Sequence, residues 1–91
     1  MINTVVDIKD ITYSYSEDKD LVSSIEKRGI AIPVHVNKVD DGYICVDGHK
    51  RLTACQILSE KNEKFRRIPI LILNDYSKAG SAFWGNTQNK H

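Results

Sequence analysis

The sequence predicts a small α/β domain of the mixed-sheet (α+β) kind, with helices flanking the sheet. Three observations predict it. A hairpin signal, Asp40-Asp41-Gly42, separates two short alternating stretches, and a helix-like stretch lies on either side of that pair. A near-continuous apolar run, Ile68 to Leu73, closes the pattern. The 91 residues suit a single domain, 1–91, with a core over about 5–73 and a C-terminal helix and tail over 74–91. At 41% hydrophobic residues the chain can bury a core, although a domain this small is only marginally stable.

The elements follow in order. Val5, Val6, Ile8 and Ile11 predict a first strand that runs into a loop, Thr12 to Asp18. Ser16, Asp18 or Asp20 can cap the helix that follows, because their oxygens accept the free N–H groups of a first turn. In that helix Leu21, Val22 and Ile25 share one face, Glu26, Lys27 and Arg28 the other, and Gly29 stops it. After Pro33 comes an alternating strand, Val34 and Val36 against His35 and Asn37, then the hairpin turn and a return strand, Tyr43 to Val46. A second helix, Lys50 to about Lys61, carries Leu52, Cys55, Ile57 and Leu58 toward the core. The run Ile68 to Leu73 has the pattern of a strand buried on both faces. A short helix is predicted around Lys78 to Trp84.

Composition excludes several classes. Thirteen Lys and Arg against twelve Asp and Glu give a net charge of +1, which argues against a protein that coats DNA through bulk charge. No apolar run approaches the roughly 20 residues of a membrane span, and residues 1–10 alternate rather than forming a signal peptide. The expectation is a cytoplasmic chain with no membrane partner. Cys45 and Cys55 form neither a CxxC pair nor a disulfide framework and read as buried thiols in a reducing compartment.

One place carries chemistry: the strand-to-helix turn Asp47-Gly48-His49-Lys50-Arg51. A glycine lets backbone approach a ligand with no Cβ in the way. The first turn of a helix presents unpaired N–H groups and the positive end of its dipole. Lys50 and Arg51 add charge-assisted hydrogen bonds of roughly 1.5–3 kcal/mol each. Together these make an anion site, for which phosphate is the usual occupant. An ordinary turn with two solvated cations is the plainer alternative. Cations at a helix start oppose the dipole, however, which favours an anion between them. His49 reads as a phosphate donor, an acid/base or a plain helix-start residue. Phe83 and Trp84 read as core packing for the terminal helix rather than as a base platform.

The stretches Leu21 to Ile25, Gly29-Ile30, Pro33-Val34, Gly42-Tyr43, Val46 to Ala54 and Ile68-Pro69-Ile70 resemble the N-terminal domain of ParB proteins, within the ParB/sulfiredoxin superfamily. The resemblance covers roughly Val5 to Leu73, and its Asp47-Gly48 start is closer to the DGQHR variant of the box. It implies a ParB/sulfiredoxin-like fold and a nucleoside triphosphate, CTP or ATP, held with magnesium at Gly48, His49, Lys50 and Arg51. Arg51 matches the arginine these families share. The tail, Phe83 and then Asn86-Thr87-Gln88-Asn89-Lys90, is similar to their asparagine-containing third motif, which implies that Asn86 is a further phosphate contact and that Asn86 and Gln88 orient a phosphate or its magnesium ion. No metal ligand set is expected from protein side chains alone.

Departures from the pattern bear on function. Ile32 stands where ParB has a glutamine before the proline, and His49 where ParB has a glutamate. Gly85 and Asn89 replace the Glu and Arg of the third motif, and the arginine-containing motif before the first helix is missing. Sulfiredoxins carry their catalytic cysteine at the place of His49, so reductase activity is not expected. The superfamily's free-serine kinases use a glutamate base in the loop after the first strand, where Glu17 is the nearest acid; Asp47 is the other catalytic candidate. These 91 residues include no helix-turn-helix domain of the kind that gives ParB its DNA specificity. The reading ranked first is a nucleotide-binding switch module linked to DNA maintenance or mobile elements. An NTPase, free amino-acid kinase or weak nuclease comes second, and a protein-interaction domain without ligand third. DNA, a protein partner and homodimerisation stay open.

Overall fold

The computed structural model describes residues 2–77. The elements are β1 (Ile2–Asp7), a 3-10 turn (Ile8–Asp10), β2 (Ile11–Thr12), α1 (Lys19–Arg28), β3 (Val34–Val39), β4 (Gly42–Asp47), α2 (His49–Ser59), a second 3-10 turn (Glu63–Arg66) and β5 (Arg67–Asp75). The strands form one mixed sheet in the order β1-β5-β3-β4-β2. β3 runs parallel to β5 and antiparallel to β4, while β1 is antiparallel to β5 and β2 parallel to β4. The α+β class expected from sequence is the one observed. The helix expected around Lys78 to Trp84 lies outside the described residues.

The first strand differs from expectation. It begins at Ile2, breaks at Asp7 and resumes on the opposite edge of the sheet as β2. Asp7 causes the break. Its Oδ1 accepts the Lys9 N–H at 2.9 Å and caps a 3-10 turn, while its Oδ2 lies 3.2 Å from Arg66. The Lys9 amide, and after it Arg66, hold the Asp7 carboxyl below its ordinary range. Asp7 to Ile11 can span at most about 14 Å of chain. Four strand spacings in a flat sheet need about 19 Å. The sheet must therefore curl so that its two edges approach.

That curl brings the turn against the start of β4. A Cβ on Gly42, where φ is 142°, would sit 2.5 Å from the Asp10 carbonyl oxygen. Only glycine permits both the turn and the approach.

The core lies on one face of the sheet. Val34 and Val36 of β3, Cys45 of β4 and Ile68, Ile70 and Ile72 of β5 pack against Ile25 of α1 and Leu52, Ala54, Cys55 and Leu58 of α2. The expectation that the β5 run is buried on both faces is corrected: Pro69, Leu71 and Leu73 are half-buried, because no described element covers that side. In α2, Thr53 and Ala54 are buried and Ile57 only half-buried, because the helix packs against α1 as well as the sheet. Of the three cap candidates for α1, Asp18 serves, accepting the Leu21 N–H at 3.2 Å. None of the described helices is long and apolar enough to cross a membrane.

Both cysteines are buried and unpaired, and burial pushes each thiol up to about 11. The unfolded thiol, near its ordinary 9.0, loses its proton first, so folding stability should fall as pH climbs from about 9 to 11. Urea midpoints across that range, for the parent and for Cys45→Ala and Cys55→Ala, check it. At pH 8 neither native thiol should react with a thiol reagent before global unfolding.

Candidate functional site

β4 ends at Asp47, beside the start of β3, and the chain turns into α2 within one residue. Gly48 makes that turn with φ 120° and ψ 20° and sits buried against Val34. Its carbonyl accepts the Leu52 N–H at 2.9 Å, which starts the helix. The contrast with α1 is informative. There Asp18 caps the first turn and Asp20 faces the dipole. At α2 no side chain caps the first turn and no acid stands in it; His49, Lys50 and Arg51 occupy it instead. The first-turn amide that Asp18 satisfies in α1 has no side-chain acceptor at α2 and is left for an outside one.

A cleft of about 590 Å³ opens in front of this turn. It is lined by Ser14, Ser16, Leu21, Asp47, Gly48, His49, Lys50 and Arg51, within the size range of small-molecule sites. The structure thus gathers Asp47, Gly48, His49, Lys50 and Arg51 into one cavity. Glu17 is exposed and does not line it. Asn86, Gln88, Phe83 and Trp84 lie outside the described residues. No group of three or more His, Cys, Asp or Glu among the described residues is arranged to hold a metal ion.

Three contacts tie the loop after β2 to one face of α2. The Ser14 N–H donates to His49 Nδ1 at 3.1 Å, and the Ser16 N–H donates to Thr53 Oγ1 at 2.8 Å. The Tyr13 hydroxyl donates to Gln56 Oε1, and burial pushes the Tyr13 phenol above its ordinary range. Because Nδ1 of His49 accepts, the proton of the neutral ring sits on Nε2, which remains a donor. Thr53 is fully buried and returns its own hydroxyl proton to the His49 carbonyl at 2.9 Å.

Ser14, Ser16 and Thr53 were not legible as site residues. The available signal was Thr53 at i+4 from His49, one turn along the same helix face. Thr53→Val keeps the shape and strands the Ser16 amide. It is expected to cost about 1–2 kcal/mol, read as a lowered urea midpoint.

Arg51 does more than line the cleft. Its Nη1 donates to the Ile32 carbonyl at 2.7 Å and approaches the Pro33 carbonyl at 3.3 Å, while Nη2 lies 3.8 Å from Asp47 Oδ2. Lys50 is exposed at the mouth.

The profile of the ParB N-terminal domain matches residues 4–82. No curated protein matches the chain. Several solved structures share the fold, two of which follow. The first is the C-terminally truncated chromosome-partitioning protein ParB from Caulobacter crescentus complexed with CTP-γ-S, at TM-score 0.64 and 20% identity over 99% of this chain and 53% of that one. The second is a Pnob8-like ParB-N domain, at TM-score 0.53 and 20% identity over 89% of this chain and 32% of that one. The chain therefore spans about half the length of the first and a third of the second.

Proposed function

The chain belongs to the ParB N-terminal domain family, and from that premise we propose that it binds the polyphosphate of a nucleoside triphosphate at Gly48, His49, Lys50 and Arg51. The uncapped, acid-free first turn of α2, opening on the cleft, is the observation that carries this reading. In it the first-turn amides and the His49 Nε2–H donate to phosphate oxygens, and Lys50 and Arg51 neutralise the charge. A magnesium ion, if the ligand carries one, would be held mainly by phosphate oxygens and water, as that ion prefers, with Asp47 at the cleft edge. Asn86 is proposed as a further phosphate contact from the tail. The structure in complex with CTP-γ-S supports the ligand class.

Binding is placed before turnover. Among the described residues Asp47 is the single carboxylate lining the cleft, and it is drawn toward Arg51. The domain would then act as a nucleotide-dependent module in DNA maintenance or a mobile element.

The test is a thermal-shift screen of ATP, CTP, GTP, UTP and their diphosphates, with and without magnesium. A ligand at 100 times its dissociation constant adds about 2.7 kcal/mol. For a domain this size that raises Tm by about 10 °C or more. No shift with any nucleotide overturns the reading.

A further inference from the structure

Arg51 is already engaged before any anion arrives. Its guanidinium bridges the end of β4 to the connection between α1 and β3, through the Ile32 and Pro33 carbonyls on one nitrogen and Asp47 on the other. Packing holds that connection only in part: Ile30 packs against the core, while Ile32 is 62% exposed. Arg51 also separates two cavities. Together with Leu21 it lines both the phosphate cleft and an adjoining groove of about 230 Å³ between α1 and the connection, walled by Ile25, Ile30 and Ile32.

His49 holds the other flank differently. Its bond to Ser14 uses Nδ1, so Nε2–H can donate to an anion without giving Ser14 up. Arg51 serves both sides with one planar group. The end-on pair, Nη1 and Nη2, that would grip a phosphate in a two-bond fork is the pair now turned to the carbonyls and Asp47.

We infer that Arg51 is a positioning residue shared between the ligand and the α1–β3 connection. An anion at the helix start draws the guanidinium off Ile32 and Pro33, frees that connection and joins the two cavities, while the Ser14 loop stays latched to His49. A two-bond fork between opposite full charges is stronger than the same guanidinium's bonds to two neutral carbonyls, so the exchange favours the phosphate. By linkage, whatever binds the freed connection must tighten anion binding by the same factor.

This inference rests on the phosphate reading, and the experiment separates the two. The full chain is titrated with inorganic tripolyphosphate, which has no base, and followed by NMR. Shifts at the Gly48, His49 and Lys50 amides report binding. The expected result is that the Ile32 and Pro33 carbonyl carbons move upfield, toward the positions they hold in ligand-free Arg51→Ala. The amide order parameters of Ile30 to Ile32 should fall, and the Ser14 amide should keep its hydrogen-bonded shift. In Arg51→Ala those carbonyls should not respond to tripolyphosphate. Should that variant fail to fold, Arg51→Lys keeps the charge but lacks the fork and serves as the reference. Amide shifts at Gly48 to Lys50 with stationary Ile32 and Pro33 carbonyls would overturn the inference and leave the phosphate reading standing. No shift at either place overturns both.

Discussion

Gly48→Ala is expected to lower stability by about 2–4 kcal/mol and to abolish triphosphate binding. Two independent costs combine. The residue has φ 120°, a conformation L side chains rarely adopt, which costs roughly 1–2 kcal/mol. Its new Cβ would also lie 3.1 and 3.2 Å from the two methyls of Val34, which is fully buried and cannot withdraw freely. Against a total of about 5–15 kcal/mol for a domain, that loss is large. Gly29→Ala isolates the two costs. Gly29 also has positive φ, at 75°, but nothing lies within 4 Å of its Cβ position. It should lose the conformational part alone, about 1–3 kcal/mol, since φ 75° with ψ −171° is a region essentially reserved for glycine, and leave triphosphate binding intact. Urea midpoints at unchanged m-value measure both. Equal losses in the two variants would show that Val34 yields and that the turn is looser than its geometry.

The contrast between these glycines shows why much of the fold was legible and part of it was not. Gly29 and Asp18 act on their own neighbours, and so do Gly42 and Gly48 in so far as they make their turns. Local chemistry of that kind is written in adjacent residues. The break at Asp7 was locally signalled too, by an acid able to cap, yet Ile8 and Ile11 continue an apolar alternation that outweighed it. What adjacent residues do not carry is which distant segment each element meets. Thr53 looks like an interior helix residue until the Ser16 amide arrives from 37 positions away. Arg51 looks like a free phosphate ligand until the Ile32 carbonyl is found 2.7 Å from it, 19 positions back. The half-covered outer side of β5 was misread because an apolar run is silent about whether one layer or two will cover it.

Lys50→Ala is expected to move stability and affinity in opposite directions. In the free protein Lys50 is an exposed cation in the first turn of a helix that has no side-chain cap and no acid to offset it. Removing it should stabilise the domain by about 0.3–1 kcal/mol, because the positive end of the dipole no longer faces a like charge. The same change removes a charge-assisted bond worth roughly 1.5–3 kcal/mol to a bound phosphate, so triphosphate affinity should fall about tenfold to a hundredfold. Arg51→Ala should lower affinity over a similar range and lower stability as well, since the Ile32 and Pro33 carbonyls lose their donor. Calorimetric titration with a triphosphate at fixed salt, beside urea unfolding of each variant, measures both quantities. A cation that merely solvates a surface would leave affinity unchanged when removed, and one that supports the fold would lose stability. A gain in one with a loss in the other is the signature of a charge placed at a local cost for a ligand, and a Lys50→Ala variant that weakens neither binding nor repulsion would return the turn to the ordinary strand-to-helix connection it also resembles.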